Sequence, residues 1–266
     1  MAISVPAQRA VRLGQARRAT VVGQARRAVM LGGAALALPL LTACEGPEGE
    51  IKSLKAQIQV DYGEKNFKDI VVKAEKALSL SLQVQGPKSG DTLYFAQALS
   101  EGYTELGDKR SAVKALGREI TLRLGAGQSE RKLQPRRTLA IKFAEETGDP
   151  DTAAKHALAI SRDIEMDMNK DPQPVYRADT RYPPDQFRRN VEGDVTLEYA
   201  IDQTGKVTSA KVKTATPPNV FDNAALESFL KWRFTPVLKN GEPVASAGHT
   251  FTIMFRMRGQ NIAPGR

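Results

Sequence analysis

Few side chains in this 266-residue sequence are equipped for catalysis or metal binding. There are two histidines, His156 and His249, and one cysteine, Cys44. A single cysteine excludes an internal disulfide framework and any multi-thiolate metal site. No glycine-rich phosphate loop and no His-Glu-x-x-His run is present. Acids are plentiful, but spacing and apolar surroundings single out no pair as a tuned acid/base couple. His156 lies in an Ala-rich helical pattern and reads as a packing or surface residue. His249 stands at the entrance to a strand and reads as solvent-facing. The expectation is a protein that is not an enzyme and holds no metal or cofactor. Two features keep chemical interest: the solitary Cys44 thiol, and a run of backbone from Thr250 to Arg256. That run (Thr250, Phe251, Thr252, Ile253, Met254, Phe255, Arg256) has no proline and no charge before Arg256. Placed at the edge of a sheet, such a strand offers unpaired N–H and C=O groups to a partner. A mid-sheet position, or pairing with a second copy of itself, is the alternative.

The formal charge of +9 has to be located before it suggests a partner. Residues 1–43 contain six arginines (Arg9, Arg12, Arg17, Arg18, Arg26, Arg27), no lysine and no acid. An apolar run then extends from Val29 to Ala43. Basic start, short apolar stretch and small residues before a boundary make a secretory signal peptide over 1–43. Fifteen residues fall short of the ~20 that cross a bilayer as a helix; an uncleaved inner-membrane anchor is the other reading. The run ends Leu41-Thr42-Ala43-Cys44, which resembles the bacterial lipobox. That resemblance implies cleavage before Cys44 and a diacylglyceryl group on its thiol. Buried acyl chains at about 0.8 kcal/mol per CH₂ would anchor the protein to a membrane. Residues 45–170 carry 20 basic and 20 acidic side chains, so the remaining +3 sits in 171–266. A nucleic-acid partner loses its motive.

From 44 to 170 the pattern is helical. Phe67, Ile70, Ala74, Ala77 and Leu78 recur at three- and four-residue spacing, as do Ala96, Leu99, Tyr103 and Leu106, and again Ala112, Ala115, Leu116 and Ile120. Breakers separate them at Gly86-Pro87, Gly107-Asp108, Gly125-Ala126-Gly127 and Gly148-Asp149-Pro150. The stretch Leu99-x-x-x-Tyr103-x-x-Leu106-Gly107-Asp108-x-x-x-Ala112-x-x-x-Leu116 resembles a tetratricopeptide repeat, with echoes around Lys65-Asn66 and Gly148-Asp149. Three helical hairpins are expected, enough to bury a continuous core. They would serve as a protein-binding surface or a spacer.

A polar, proline-containing linker is read at 171–180, a domain at 181–258 and a tail at 259–266. In the domain, Val195, Leu197, Tyr199 and Ile201 alternate with polar or small residues as a half-buried strand. Asp202-Gln203-Thr204-Gly205 turns into a second strand, Val207–Thr214. A helix follows Pro217-Pro218, with Asn219 as its N-cap and Phe221, Ala225, Phe229 and Trp232 on its buried side. The last strand runs from Thr250 to Arg258. The fold class is therefore mixed: a helical-hairpin array, then a small two-layer α+β domain with an antiparallel three-stranded sheet.

Tyr182-Pro183, Gly193, Asp202 to Gly205, Phe221, Trp232-Arg233-Phe234-x-Pro236 and the terminal aromatic strand together resemble the C-terminal domain of the TonB family. The resemblance implies binding of an extended "TonB box" from an outer-membrane transporter as an added strand. The docking residues carried over are Thr250 to Arg256, with Tyr182 and Pro183 beside them. The implied protein is lipid-anchored in the cell envelope and faces the periplasm. Its partner is a TonB-dependent transporter or another envelope protein, and a homodimer through the last strand is possible. The alternatives are a divergent inner-membrane TonB energy transducer and a self-associating structural envelope protein. Mass spectrometry of the membrane-extracted protein tests the anchor. A lipidated Cys44 at the mature N-terminus is expected, whereas an intact Met1 start supports the transducer.

Overall fold

The computed structural model describes residues 46–166 and 169–257. The signal segment 1–43, Cys44, Arg258 and the tail 259–266 lie outside the described residues. Six helices come first: α1 (Pro47–Glu64), α2 (Phe67–Val84), α3 (Gly90–Glu105), α4 (Lys109–Gly125), α5 (Glu130–Thr147) and α6 (Pro150–Asp163). Each packs on the next. The breakers read from the sequence fall between them. Gly107 and Gly148 take left-handed backbone at φ 71° and 75°, a conformation that costs glycine little. Ser89, Asp108 and Asp149 cap α3, α4 and α6 by accepting the amides of Thr92, Ser111 and Thr152, which satisfies donors that a helix start leaves orphaned.

The three expected apolar faces are buried almost throughout, from Ile70 and Leu78 to Leu99, Leu116 and Ile120. Phe67 and Tyr103 are half-buried, and Leu106, the C-cap of α3, is 40% exposed. A polar knot lies among these helices. Glu119 is fully buried and accepts Ser100 Oγ (2.7 Å), Arg123 Nε (2.6 Å) and Arg136 Nε. Two guanidinium groups on one carboxylate satisfy a charge that could not be buried alone. His156, 4% exposed, accepts Arg137 Nη1 on Nδ1 at 2.9 Å. Arg137 also grips Glu130 at 2.8 and 2.7 Å. Burial first, and the Arg137 charge second, push the His156 pKa down to about 4.

Beyond the helices, β1 (Pro174–Tyr176), α7 (Pro184–Arg188), β2 (Gly193–Ile201), β3 (Val207–Thr216), α8 (Asp222–Phe229), β4 (Arg233–Phe234), β5 (Val237–Lys239), β6 (Glu242–Val244) and β7 (Ser246–Phe255) follow in order. The main sheet is antiparallel and three-stranded, in the order β3-β2-β7. α8 packs on one face of it, making the two expected layers. Alternate residues of β2 are buried along its whole length, because side chains of a strand point to opposite faces. Phe221, Ala225, Phe229 and Trp232 are all at 0% exposure beneath the sheet.

Several local expectations are corrected. Asn219 is not the cap of α8; it sits in left-handed backbone at φ 61°, and Phe221 holds the cap position without a side-chain bond. The last strand starts at Ser246, four residues early, and ends at Phe255, so Arg256 lies just outside it. Asn240-Gly241 closes the small β5–β6 hairpin. The stretch read as the linker 171–180 contains β1, which pairs with β4. Val175 joins the apolar cluster of α5 and α6. Thr235 N donates to Gln173 O (2.8 Å), and Gln173 N to Thr235 Oγ1 (2.9 Å).

Arg233 completes this junction. At 1% exposure it donates from Nε to Glu145 Oε1 of α5, and from Nη1 to Thr204 O (2.7 Å) and Oγ1 (3.0 Å). Glu145→Ala leaves that guanidinium buried without its counter-charge. The expected cost is about 3 kcal/mol in chemical denaturation, against about 0.5 kcal/mol or less for Glu50→Ala in the exposed pair with Lys76. Equal effects would mean that Arg233–Glu145 is ornamental. A second outcome concerns acid. His156 binds its proton near pH 6.5 when unfolded and near 4 when folded, so the unfolded chain takes up more protons between those values. Stability should fall by up to about 3 kcal/mol as pH drops through that window. His156→Gln should flatten this part of the profile in pH-dependent urea melts.

Candidate functional site

The residues Thr250 to Phe255 lie on a free edge. β7 is bonded to β2 on one side, and no strand among the described residues pairs with the other. Their register is continuous from Tyr199↔His249 to Gly193↔Phe255. A bulge at Gly248, φ 84°, separates this regular stretch from Ser246 and Ala247. Side chains alternate in role. Phe251, Ile253 and Phe255 face the core opposite Leu197, Val195 and Gly193, whereas Thr250, Thr252 and Met254 lie on the other face. Thr252 Oγ1 meets Thr196 Oγ1 across the pair at 2.9 Å. Specific pairs of this kind pin register, since a one-residue slip would turn the phenylalanines to solvent.

Aromatic packing fixes the strand at both ends. Phe255 stacks on Phe221 at 4.3 Å between centroids, and Phe251 sits edge-on to Trp232 at 5.2 Å. Tyr182 closes the Phe255 end, edge-to-face with Phe187, Phe221 and Phe255 at 5.8, 5.4 and 5.6 Å. Its hydroxyl donates to Val191 O. Pro183 occupies the cap position of α7. Tyr182 thus stands beside the strand as a buttress, and Pro183 starts the helix that follows. Arg256, beyond the strand end, donates to Gly193 O (2.8 Å) and Phe255 O (3.1 Å) and pairs with Asp194 (2.7 Å).

Three neighbours of this edge were not singled out in the sequence. Arg177 lies over Trp232 and Phe251, its guanidinium carbon 5.4 and 5.6 Å from the ring centroids. Glu192 accepts Met257 N at 2.8 Å. Asp171 approaches His249 Nδ1 at 3.6 Å. His249 itself is not solvent-facing: it stands over Tyr199, 5.5 Å between centroids, and its Nε2 meets Ser246 Oγ at 2.8 Å. Asp171, Arg177 and Tyr182 therefore meet β7 at His249, Phe251 and Phe255 in turn, so the chain leading into the domain follows β7 from end to end. A composition reading of that stretch as polar linker hides this, because its contacts are to residues some 70 positions away in the sequence.

The two edges of the sheet differ. β3 carries register shifts opposite Thr196/Leu197 and Ala200/Ile201, and exposes Lys211 and Lys213. Bulges and lysines discourage strand addition. From His249 to Phe255, β7 has neither. Its outward faces offer hydroxyls and a thioether beside an open row of backbone groups, which suits an extended peptide better than a small molecule. Among the described residues no cluster of His, Cys, Asp and Glu is arranged to hold a metal ion.

Residues 178–257 match the family model for the Gram-negative bacterial TonB protein C-terminal. Protein TonB of Yersinia enterocolitica is 33% identical over 88 residues, covering 33% of this chain and 32% of that protein. Protein TonB of Vibrio cholerae is 32% identical over 79 residues, covering 30% and 32%. The chain spans about a third of the length of these curated relatives. Among solved structures, the TonB2 protein from Vibrio anguillarum is 34% identical, covering 35% of this chain and 87% of that one with a TM-score of 0.27. The Pseudomonas aeruginosa TonB C-terminal domain is 26% identical, covering 36% and 96%, with a TM-score of 0.30.

Proposed function

We propose that this chain, whose residues 178–257 form a domain of the TonB C-terminal family, works in transport at the cell envelope by taking an extended peptide as an added strand on β7. The partner is an outer-membrane transporter that carries a TonB-box-like segment, or another envelope protein with one. The observation that carries this reading is the asymmetry of the sheet: one edge is bulged and lysine-bearing, while the other is regular from His249 to Phe255 and paired with no strand among the described residues, Arg177 and Tyr182 packing on its core-facing rings. Main-chain hydrogen bonds would supply affinity, at about 1 kcal/mol net apiece. Alternate side chains of the peptide would meet Thr250, Thr252 and Met254 on one face, and the borders of Phe251 and Arg177 on the other. Tyr182 supports the far end of the groove so formed.

A diacylglyceryl group on Cys44 would hold the protein at a membrane facing the periplasm. The helical array would then set its reach or add a second contact. Among the described residues no helix is long and apolar enough to cross a membrane.

Strand addition has a signature that other modes of binding lack. Successive residues of an added strand point their N–H groups alternately toward and away from the host. Two N-methylated versions of a TonB-box peptide, one blocked at odd positions and one at even, should therefore behave differently in calorimetric titration. Loss of tenfold or more in one and little change in the other is the expected result. Hydrogen exchange on the full chain should show protection of 246–255 and none of 207–216. Equal tolerance of both methylation patterns, or protection without added peptide that rises with protein concentration, would replace peptide docking by side-chain contact or self-association.

A further inference from the structure

The helical array has a groove of about 540 Å³ between α4 and α6, away from the β7 edge. Lys114 and Arg118 line one wall and Lys155 the other. All three are exposed, and none is ion-paired among the described residues, although Lys55, Lys73, Lys76, Lys109, Arg123 and Arg136 in the same array are. The acid that reaches the groove, Asp149, is already engaged as the cap of α6, accepting Thr152 N at 3.1 Å. At the floor, His156 is held by Arg137 through Nδ1, so the neutral ring keeps its proton on Nε2 as a donor.

Gly117 lies between the two α4 cations. It sits inside a helix, where glycine costs about 1 kcal/mol relative to alanine. A Cβ there would meet nothing within 4 Å, and its φ is not in the left-handed range. Packing therefore gives no reason for glycine at this position. Its effect is to leave bare backbone on the lining of the groove, where another chain can come close.

We infer that this groove binds a short acidic segment of a partner protein in extended conformation, with carboxylates at alternate residues. The spacing carries the match. Lys114 and Arg118 are one helical turn apart, about 6 Å of rise. Side chains on one face of an extended chain recur every ~6.8 Å. The intervening residues of the segment would point away from the α4 cations, toward the α6 wall at Thr152. Lys155 closes on the segment from the opposite wall. A flat anionic surface would reach the exposed cations without needing the bare backbone at Gly117. This site stands whether or not β7 takes a peptide.

The test uses the full chain and a labelled hexapeptide alternating glutamate with valine, followed by fluorescence anisotropy at low and physiological salt. Binding that weakens with salt is expected, with at least tenfold loss in Lys114→Glu/Arg118→Glu. A similar loss is expected in Gly117→Leu, which changes no charge. Lys52→Glu/Lys68→Glu, with the same charge change on α1 and α2, should leave binding within twofold, and circular dichroism should show all variants folded. No binding up to millimolar peptide overturns the inference. So does an equal loss in the control pair, or full affinity in Gly117→Leu. Displacement of the peptide by equimolar inorganic phosphate would also overturn it, because a point anion cannot exploit the spacing. Anionic vesicles that bind the wild type and Gly117→Leu alike would assign the lysines to a lipid surface instead.

Discussion

Trp232, Arg233 and Phe234 are three consecutive residues, each at 1% exposure or less, and the C-terminal part of the structure is organised around the way they divide their directions. The two aromatic rings enter the core under the sheet, where Phe234 stacks on Tyr199 at 4.7 Å and Trp232 Nε1 donates to Ala178 O at 3.2 Å. Arginine between them faces the other way, toward Glu145 of the helices. Strand alternation makes this division automatic. Its condition is close approach: Phe234 N donates to Gly205 O at 2.8 Å, and a Cβ on Gly205 would stand 2.0 Å from Phe234 O. Glycine at φ 79° is the residue that permits the hairpin to come down onto β4. The packing of α8 beneath the sheet, the position of β1 and the link to α5 all follow from that contact.

The same arrangement explains why one sheet edge is available. The core side of β7 is already filled by Phe229, Trp232 and Phe221, so Phe251, Ile253 and Phe255 need no further cover. The strand is held by its inward face, and no strand among the described residues pairs with its outer side. Unpaired edges are a hazard that folded proteins usually blunt. Here β3 carries two bulges and exposed lysines, whereas β7 has one bulge, at Gly248, and is regular beyond it. An edge held rigid from below but left open at the side is preorganised, and a peptide that joins it need not order the strand it joins.

Much of this was legible from the sequence, and what was hidden shares a cause. Period-2 alternation in β2 and three- and four-residue spacing in α2, α3 and α4 gave the elements. Gly193, Gly205 and the Trp232-to-Pro236 run carry the family resemblance, and the fold shows the two glycines to be places of close approach. Short elements made from long-range pairing escaped: β1 and β4 are three and two residues long, and no periodicity exists at that length. Their pairing makes structure of a stretch that composition alone reads as linker. His249 was assigned to solvent on position alone, while its actual place is set by Tyr199 opposite it. Glu119 and Arg137 look like surface charges in a neutral helical region; only the fold reveals that Ser100 and Arg136 reach the one, and His156 the other, from neighbouring helices. Part of the edge shows as a run of residues without proline or charge, but its start at Ser246 and end at Phe255 do not. That it is an edge was not visible either, since strand order is a tertiary fact.

The junction between the helices and the C-terminal domain bears on how the parts can cooperate. A flexible spacer lets two binding modules search for their targets independently, at an effective concentration that falls with spacer length. This chain has instead a β1 strand shared between the cores and a buried ion pair across them, so the groove on α4 and α6 and the edge of β7 are carried on one body. The gain from engaging both is then geometric. A partner presenting an extended strand and an acidic segment at the matching separation would bind far more tightly than either segment alone, with little entropy lost in holding the second site. A partner with the wrong separation would gain less, because β1 and the Arg233–Glu145 pair tie the two parts together. Rigid coupling of that kind converts two weak and individually unselective contacts, one made by backbone and one by charge, into a measure of distance. Selectivity of this sort would depend on Glu145 and Arg233 as well as on the residues that touch a partner.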